Sequence, residues 1–234
     1  MKKIRTTVRI TELDTLSDVL LRLYKADSGI ASDDYLKSTM AEIESLSERI
    51  TIAIRSDRAS STLDEADIKR DDIIRSLGAL LNGYAAIPIA DKKAAAEKLL
   101  DVFNKYKGIT GESYANESSL IESMVKDYEA SELADSIKAL DGVSLCLANL
   151  RSAQDEFNKA NDVFTAANVN KGESASSLKK PLLAAINDKL IAYLTAMNLV
   201  NKALYGDFVS KAEAEIEKMN NSVAKRGKSV SGLQ

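Results

Sequence analysis

The side chains best suited to chemistry form an acidic run early in the chain, comprising Asp64, Glu65, Asp67, Asp71 and Asp72. Carboxylates at this density could hold Mg²⁺, which prefers oxygen ligands. Metal sites inside helical bundles also use Glu-x-x-His motifs, however, and the sequence contains no histidine. The run precedes a predicted helix, where acidic side chains favour the positive end of the helix dipole. We therefore expect no metal ligands and no catalytic residues here, with a carboxylate-only magnesium site as the alternative.

Other catalytic side chains are sparse. Without histidine the chain has no His-based triad, no His-ligated zinc or haem, and no usual general base near neutral pH. The single cysteine, Cys146, lies between Leu145 and Leu147 with no positive charge beside it, which is typical of a buried, unreactive thiol. Neither a Walker loop nor a Gly-x-Gly-x-x-Gly motif occurs. These absences predict a protein that is not an enzyme and that binds no cofactor.

Four side chains could line a ligand pocket between helices. Asn161 lies between Phe157 and Phe164 on an apolar stripe, where its amide needs a hydrogen-bond partner. Tyr84 and Tyr193 occupy matching positions in the repeat described below and could flank a symmetric cavity. The alternative is structural, with the asparagine fixing helix register and each tyrosine burying its ring with the hydroxyl at the rim. The predicted pocket consists of Tyr84, Phe157, Asn161 and Tyr193.

Helices must position these residues, because apolar residues recur at steps of three and four along most of the chain. Glycine and proline number only 10 and 2, too few for a β-sandwich or a Rossmann-type sheet. Residues 4–10 alternate with period two, which predicts a short extended N-terminal arm, and residues 56–62 and 168–176 read as polar linkers. The predicted fold is an all-α bundle of about eight or nine helices, over residues 12–27, 35–54, 63–83, 91–107, 113–129, 131–140, 143–168, 177–204 and 207–224.

The two halves of the chain resemble each other. At an offset of 109 residues, the apolar stripe that ends in Tyr84 aligns with the stripe that ends in Tyr193. Any two amphipathic helices have apolar residues at the same spacing, so that match alone is weak evidence for a duplication. The matching tyrosines and the same order of helices and linkers in both halves are the stronger evidence. We predict a duplication with a pseudo-twofold relation, in which two four-helix-like halves either share one core or fold separately. The predicted boundaries are 1–11 for the arm, 12–108 and 112–226 for the two helical repeats, and 227–234 for a disordered tail.

Several short motifs occur in a characteristic order. They are Lys69-Arg70-Asp71-Asp72-Ile73-Ile74-Arg75-Ser76-Leu77, Ala94-Ala95-Ala96-Glu97-Lys98-Leu99-Leu100, Asn104-Lys105-Tyr106, Ser113-Tyr114-Ala115-Asn116-Glu117, and Ala160-Asn161 three residues before Phe164. In order and spacing, over nearly the whole chain, they resemble an uncharacterised all-helical family, a domain of unknown function typical of Bacteroidetes bacteria. The resemblance implies the helical fold and a bacterial origin. The family has no established activity to carry over.

Charge and hydropathy argue against nucleic-acid binding and against a membrane span. Lys and Arg number 32 against 35 Asp and Glu, so no basic excess exists to hold a nucleic acid. No run of about 18 apolar residues could cross a membrane, and residues 4–9 lack the apolar stretch of a signal peptide, which favours the cytoplasm. We expect a non-enzymatic helical scaffold or protein-interaction protein with an unknown protein partner, and homodimerisation is compatible with this. The alternatives are a small-molecule or lipid binder with a pocket between helices, and a carboxylate and divalent-metal enzyme without histidine.

Overall fold

The fold is all-α, as predicted. A computed structural model describes residues 1–169 and 172–231, with side chains through residue 226, and no strand occurs within those ranges. The helices follow the chain in order, and three short 3₁₀ turns lie between some of them. The helices are α1 (Ile10–Lys25), α2 (Asp34–Ala86), α3 (Ala90–Phe103), α4 (Tyr114–Tyr128), α5 (Ala134–Ala139), α6 (Val143–Asn168), α7 (Ala175–Ala184), α8 (Ile191–Val200) and α9 (Lys202–Ser231).

Helix α2 runs through the first predicted linker. Residues 56–62 are helical, so the predicted break between two helices is wrong. The segment is polar, but no glycine or proline occurs between Asp34 and Leu77, and polarity alone does not end a helix. The Thr62 hydroxyl donates to the Arg58 carbonyl one turn earlier, which satisfies it inside the helix. Ala59 and Leu63 are buried, so this stretch also has a packed face.

The later helices follow the prediction more closely. Helix α6 has the predicted bounds of 143–168. The predicted helix over 177–204 corresponds to α7, a π-helical stretch at Ala185–Leu190, and α8, which follow one another without a break. The predicted boundary near residues 205–206 is wrong, because α8 ends at Val200 and α9 already begins at Lys202. Helix α9 extends to Ser231, so the tail predicted to be disordered from residue 227 begins inside a helix, and residues 232–234 lie outside the described residues.

The chain forms two compact units, which divide it differently from the predicted halves at 12–108 and 112–226. Unit 1 is Met1–Asp57 with Val169–Gln234, and unit 2 is Arg58–Asn168. The predicted division assumed that consecutive helices pack together, whereas α1 packs against α7 and α9 from the far end of the chain. The two stretches that match at an offset of 109 lie one in each unit, and the duplication itself remains a prediction.

In unit 1, the predicted N-terminal arm is held by side-chain amides. Asn187, in the π-helical stretch, accepts from the Ile4 amide at 2.8 Å and donates to the Ile4 carbonyl at 3.0 Å. Asn220 of α9 makes the same kind of pair with the Arg5 amide and the Lys3 carbonyl, both at 3.0 Å. An asparagine amide offers the donor and acceptor of a peptide group, so it can pair a strand-like segment without a sheet. These bonds hold residues 3–5 in place. The prediction of an extended arm over residues 4–10 is wrong in part, because Thr6 and Thr7 form a turn in which the Val8 amide donates to the Arg5 carbonyl, and α1 begins at Ile10.

In unit 2, the second part of α2 packs closely against α3. A Cβ placed on Gly78 would lie 2.7 Å from Phe103 Cζ, so the glycine leaves room for the aromatic ring. The Tyr128 hydroxyl, at the end of α4, donates to the Leu99 carbonyl of α3 at 3.0 Å. Helices α3, α4, α5 and α6 surround one apolar core with α2. That core ends at a group of charged side chains, described next.

Candidate functional site

Unit 2 contains a fully buried arginine. Arg70, in α2, has no solvent-exposed surface. Its guanidinium lies 2.9 Å from Asp67 Oδ1 and 2.9 Å from Glu117 Oε2, the latter on α4. It also donates to Ser118 Oγ at 2.9 Å and to Gln154 Oε1 of α6 at 3.2 Å. A guanidinium carries five N–H donors in one plane, and burial is tolerated only when they find partners. Arg70 therefore joins three helices through directional bonds.

Aromatic rings cover the same guanidinium. The Arg70 Cζ atom lies 3.5 Å from the centroid of the Phe157 ring and 5.9 Å from that of Tyr114. The two rings meet edge to face with centroids 5.3 Å apart. The Tyr114 hydroxyl donates to Asp64 at 3.0 Å, and burial together with this carboxylate raises the pKa of Tyr114 to about 12. The site is thus a cation under an aromatic face, a geometry that stabilises a desolvated charge.

Two carboxylate oxygens beside Arg70 have no hydrogen-bond donor. Glu117 Oε1 and Asp71 Oδ1 are both buried and accept nothing from the part of the chain that the structure describes. Glu117 is 2% exposed and Asp71 is 8% exposed. Burial raises the pKa of Glu117 to about 7 despite the nearby Arg70 charge, and the neighbouring carboxyls of Asp71 and Asp67 raise it further. Burial at this cluster therefore favours the protonated form of one carboxyl.

The cluster is a poor set of ligands for a divalent metal ion. Single oxygens of Asp67, Asp71 and Glu117 lie within 4.8 Å of one another. The Arg70 guanidinium, however, already binds Asp67 Oδ1 and Glu117 Oε2. The second oxygen of Asp71 binds Arg75 at 2.6 Å. Mg²⁺ and Ca²⁺ need six or more oxygen ligands, and this set offers few that are not already committed to a guanidinium.

The acidic run has a different role from the one predicted. Because α2 continues through residues 56–62, Asp67 and Asp71 lie in the middle of a helix and not at its positive end. They neutralise arginine side chains one turn away on the same helix: Asp67 pairs with Arg70, and Asp71 pairs with Arg75. Asp64, Glu65 and Asp72 also lie inside α2, so the helix-dipole interpretation is wrong for the whole run.

The four predicted pocket residues have separate environments. Tyr84, in unit 2, donates to the Asp141 carbonyl at 3.1 Å and is half-buried. Phe157 is buried against Arg70, and Asn161 is half-buried one turn further along α6. Tyr193 belongs to unit 1. Of the three residues in unit 2, Phe157 takes part in the charged cluster, whereas Tyr84 bonds to the Asp141 carbonyl.

Tyr193 belongs instead to a polar cluster of unit 1. The hydroxyls of Tyr193 and Tyr205 both donate to Asp33 Oδ2, each at 2.6 Å. Asp33 Oδ1 accepts from the Leu36 amide at 2.9 Å, which caps the start of α2. The hydrogen bond to Asp33 raises the pKa of Tyr193, and the bonds from Leu36 and both hydroxyls lower the pKa of Asp33 against the effect of burial. The ring of Tyr35, which is 48% exposed, lies 4.4 Å from that of Tyr193.

The sequence does contain a pattern that indicates the buried cluster, but its residues are charged and were therefore not counted as part of an apolar stripe. Positions 63, 67, 70, 74, 77 and 81 form a heptad stripe, on which Asp67 and Arg70 stand among apolar residues. On α4 the stripe 117, 121, 124 and 128 begins with Glu117 in the same way. Charged residues on an apolar stripe indicate a buried ion pair when each helix carries one of opposite sign. Cys146, by contrast, is half-buried against the unit 2 core, where the sequence predicted a buried thiol.

An apolar corner is exposed where α8 meets α9 in unit 1. Leu199 is 84% exposed, Val200 is 78% exposed and Leu204 is 37% exposed. We call these three residues the apolar corner. Leu204 also lines a groove of about 380 Å³, together with Leu23, Gly29, Phe208 and other residues of α1, the α1–α2 loop and α9. Turns between helices usually carry polar side chains, so exposed leucine and valine here call for an explanation.

Comparison with known proteins places the chain in a family. A model of a family of unknown function, DUF6261, matches residues 60–213, and the chain belongs to that family. The match includes all the residues of the Arg70 cluster and the apolar corner. No curated protein and no solved structure matches the chain significantly. Among the described residues, no helix is both long enough and apolar enough to cross a membrane.

Proposed function

We propose that this member of DUF6261 is a non-enzymatic helical scaffold that binds a protein partner through the apolar corner at Leu199, Val200 and Leu204. The observation that carries the proposal is the exposure of Leu199 and Val200, adjacent residues that are 84% and 78% exposed at the end of one helix. Burying a leucine or valine side chain is worth about 1.5–3 kcal/mol, so an interface that covers both gains substantially.

The surroundings of the corner suit a protein partner. Leu204 connects the corner to the groove beside Phe208, so a partner helix could place one apolar residue in the groove and others over the corner. Asp207 and Lys211, which form an ion pair at 2.6 Å, provide a polar rim to the same groove. A central apolar patch with a charged rim is the usual layout of protein interfaces.

The small-molecule or lipid alternative has weaker support, because two of the residues expected to line its pocket have other partners: Phe157 covers the Arg70 guanidinium and Tyr84 bonds to the Asp141 carbonyl. An enzymatic role would need catalysis without histidine, since the chain has none. We extend the proposal to a cytoplasmic location, with no nucleic acid or membrane as partner. Homodimerisation through the corner is one outcome of the test below.

The test is affinity capture from a lysate of the source organism, followed by mass spectrometry. The baits are the wild-type chain, the double variant Leu199→Ser with Val200→Ser, and the control Leu145→Ser. Leu145 is 65% exposed on α6 of unit 2, so its loss changes surface hydropathy to a similar degree elsewhere. Circular dichroism at 222 nm confirms that all three baits are folded.

We expect a partner in stoichiometric amount with the wild-type chain and the Leu145→Ser control, reduced at least tenfold with the double variant. Recovery of the bait's own sequence from the untagged endogenous protein would identify the partner as a second copy. Equal capture by all three baits would contradict the proposed surface. Empty captures by folded baits would shift the assignment to ligand binding, to be followed by a thermal-shift screen.

A further inference from the structure

We propose that Asp71 and Glu117 share a single proton between Asp71 Oδ1 and Glu117 Oε1, and that losing this proton loosens α4 from α2 in unit 2. The proposal concerns the two carboxylate oxygens that the protein leaves without a donor. It is independent of the apolar corner, which lies in unit 1.

The charge balance of the buried side chains requires one more positive charge. Among side chains of this cluster that are less than a tenth exposed, Arg70 is the cation and Asp71 and Glu117 are the anions. Two carboxylates against one guanidinium leave an excess of one negative charge. An uncompensated charge in a protein interior is very unfavourable, and an acid in that situation takes up a proton instead. One proton makes the buried group neutral.

The hydrogen-bond geometry shows where that proton is needed. Glu117 Oε2 already accepts from Arg70 Nη2, and Asp71 Oδ2 already accepts from Arg75 Nη2. The other oxygen of each carboxyl is buried and has no donor among the described residues. Oxygens of the two carboxyls lie within 4.8 Å of each other, so a proton on Glu117 Oε1 would donate to Asp71 and satisfy both oxygens with one bond. Carboxyl pairs that share a proton are a known result of placing two like charges in one site.

The other charged groups around the pair do not remove this excess, because Arg75 brings one positive charge whereas Asp67 and Asp72 bring two negative ones. On α2, Asp67 adds negative charge and its partner is Arg70. Arg75 is 56% exposed and divides its guanidinium between Asp71 and the exposed Asp72. From α6 the cluster receives Gln154, which is neutral and accepts from Arg70. Tyr114, on α4, bonds to Asp64, so its hydroxyl is directed elsewhere.

A divalent cation is less suitable than a proton as the occupant. It would convert the excess of one negative charge into an excess of one positive charge beside a buried guanidinium. It would also find only two uncommitted buried oxygens, where Mg²⁺ or Ca²⁺ needs six or more ligands. We therefore expect that Mg²⁺, Mn²⁺ and Ca²⁺ do not bind here.

The consequence for the fold follows from the position of Glu117 in the first turn of α4. When the proton leaves, two buried carboxylates face each other without a donor between them. The folded form binds the proton more tightly than the unfolded chain, so the stabilisation is complete below the ordinary pKa of glutamate and is lost as pH rises past about 7. The first turn of α4 should then open more often above neutral pH.

The experiment is a carboxyl titration of the full chain labelled with ¹³C at the glutamate side-chain carboxyls and, separately, at those of aspartate. The missing resonance in Glu117→Gln assigns the Glu117 signal. In the wild type we expect that signal to titrate near pH 7. This midpoint corresponds to a proton affinity of Glu117 more than a hundredfold above that of an ordinary glutamate. Asp71→Asn should lower this midpoint by at least one pH unit, because the asparagine amide donates to Glu117 Oε1 and favours its charged form. The control Asp72→Asn, on the same turn but exposed, should leave the midpoint unchanged.

Hydrogen exchange reports the structural part of the proposal. After correction for the intrinsic pH dependence of exchange, the amides of the first turn of α4 should exchange at least tenfold faster at pH 8.5 than at pH 6 in the wild type. Glu117→Gln should abolish this difference, because the glutamine can donate to Asp71 while accepting from Arg70. A Glu117 midpoint below pH 5, or one that Asp71→Asn does not move, would overturn the shared proton. A rise in melting temperature with Mg²⁺, Mn²⁺ or Ca²⁺ that Glu117→Gln removes would overturn it in favour of a metal site.

Discussion

Replacing Arg70 with methionine should destabilise unit 2 strongly. The variant keeps an unbranched apolar side chain against Phe157 but removes the bonds to Glu117 and Asp67, both at 2.9 Å, and the bond to Gln154. Glu117 would remain 2% exposed without its cation. Removing one partner of a buried ion pair costs about 3–5 kcal/mol, because the other charge stays buried and unpaired. This is a large share of the roughly 5–15 kcal/mol that separates a folded domain from its unfolded state.

The size of the loss should depend on pH. The Arg70 charge lowers the pKa of Glu117, so without it the carboxyl holds its proton to higher pH. A neutral Glu117 needs its cation less, and the cost of Arg70→Met should therefore be smaller at pH 5.5 than at pH 8. Adding Glu117→Gln to Arg70→Met should recover part of the stability at pH 8, since the amide carries no charge to leave uncompensated.

Urea unfolding followed by circular dichroism at 222 nm measures the loss, and hydrogen exchange assigns it to the helices of unit 2, because two compact units need not unfold together. The matched control is Lys69→Met, on the same helix. Lys69 is 53% exposed and pairs with the exposed Glu156, so its removal should cost less than about 1 kcal/mol. A cost for Arg70→Met no larger than that of Lys69→Met, or one equal at both pH values, would refute the reasoning.

Three further substitutions test the packing. Gly78→Ala should destabilise by about 1–3 kcal/mol in urea unfolding, because its Cβ would lie 2.7 Å from Phe103 Cζ. Gly83→Ala, in the same helix, should stabilise the protein by about 0.5–1 kcal/mol, because alanine favours helix and no neighbouring atom lies within 4 Å of the added Cβ. A loss of stability in this variant would show that the space is occupied. Asn187→Ala should release the N-terminal arm and lower the free energy of unfolding by about 2–3 kcal/mol, because both bonds to Ile4 are lost. Limited proteolysis would detect the released arm as cleavage near Ile4. An arm that stays protected would show that its apolar contacts are sufficient to hold it.

Apolar periodicity predicted most of the fold but misjudged one polar segment. Helix α6 has its predicted bounds, because Gly142 and a polar stretch after Asn168 frame an uninterrupted stripe. Residues 56–62 looked like a linker because their side chains are polar, yet they contain no residue that breaks a helix. The difference is physical, since hydroxyls such as that of Thr62 can bond back to their own helix.

The charged cluster was harder to predict, because its members are far apart in sequence. Arg70 bonds to Glu117 across 47 positions and to Gln154 across 84 positions. Helical periodicity shows which face of a helix is buried, but not which helices meet at that face. The acidic residues around Arg70 were therefore interpreted from their own helix alone. The compact units could not be predicted for the same reason, since α1 packs against helices from the other end of the chain.

The polar clusters of the two units respond to pH in opposite directions. In unit 1, hydrogen bonds from Tyr193 and Tyr205 favour the charged form of Asp33 and lower its pKa, so their stabilisation is present above the ordinary pKa of aspartate and is lost as pH falls. In unit 2, burial raises the pKa of Glu117 to about 7, so the stabilisation from its proton is lost as pH rises. The two contributions are both near their full size only at about pH 4, close to the ordinary pKa values of aspartate and glutamate. As pH rises from there to about 7, the charge of Asp33 continues to stabilise unit 1, whereas unit 2 progressively loses the contribution of the proton on Glu117.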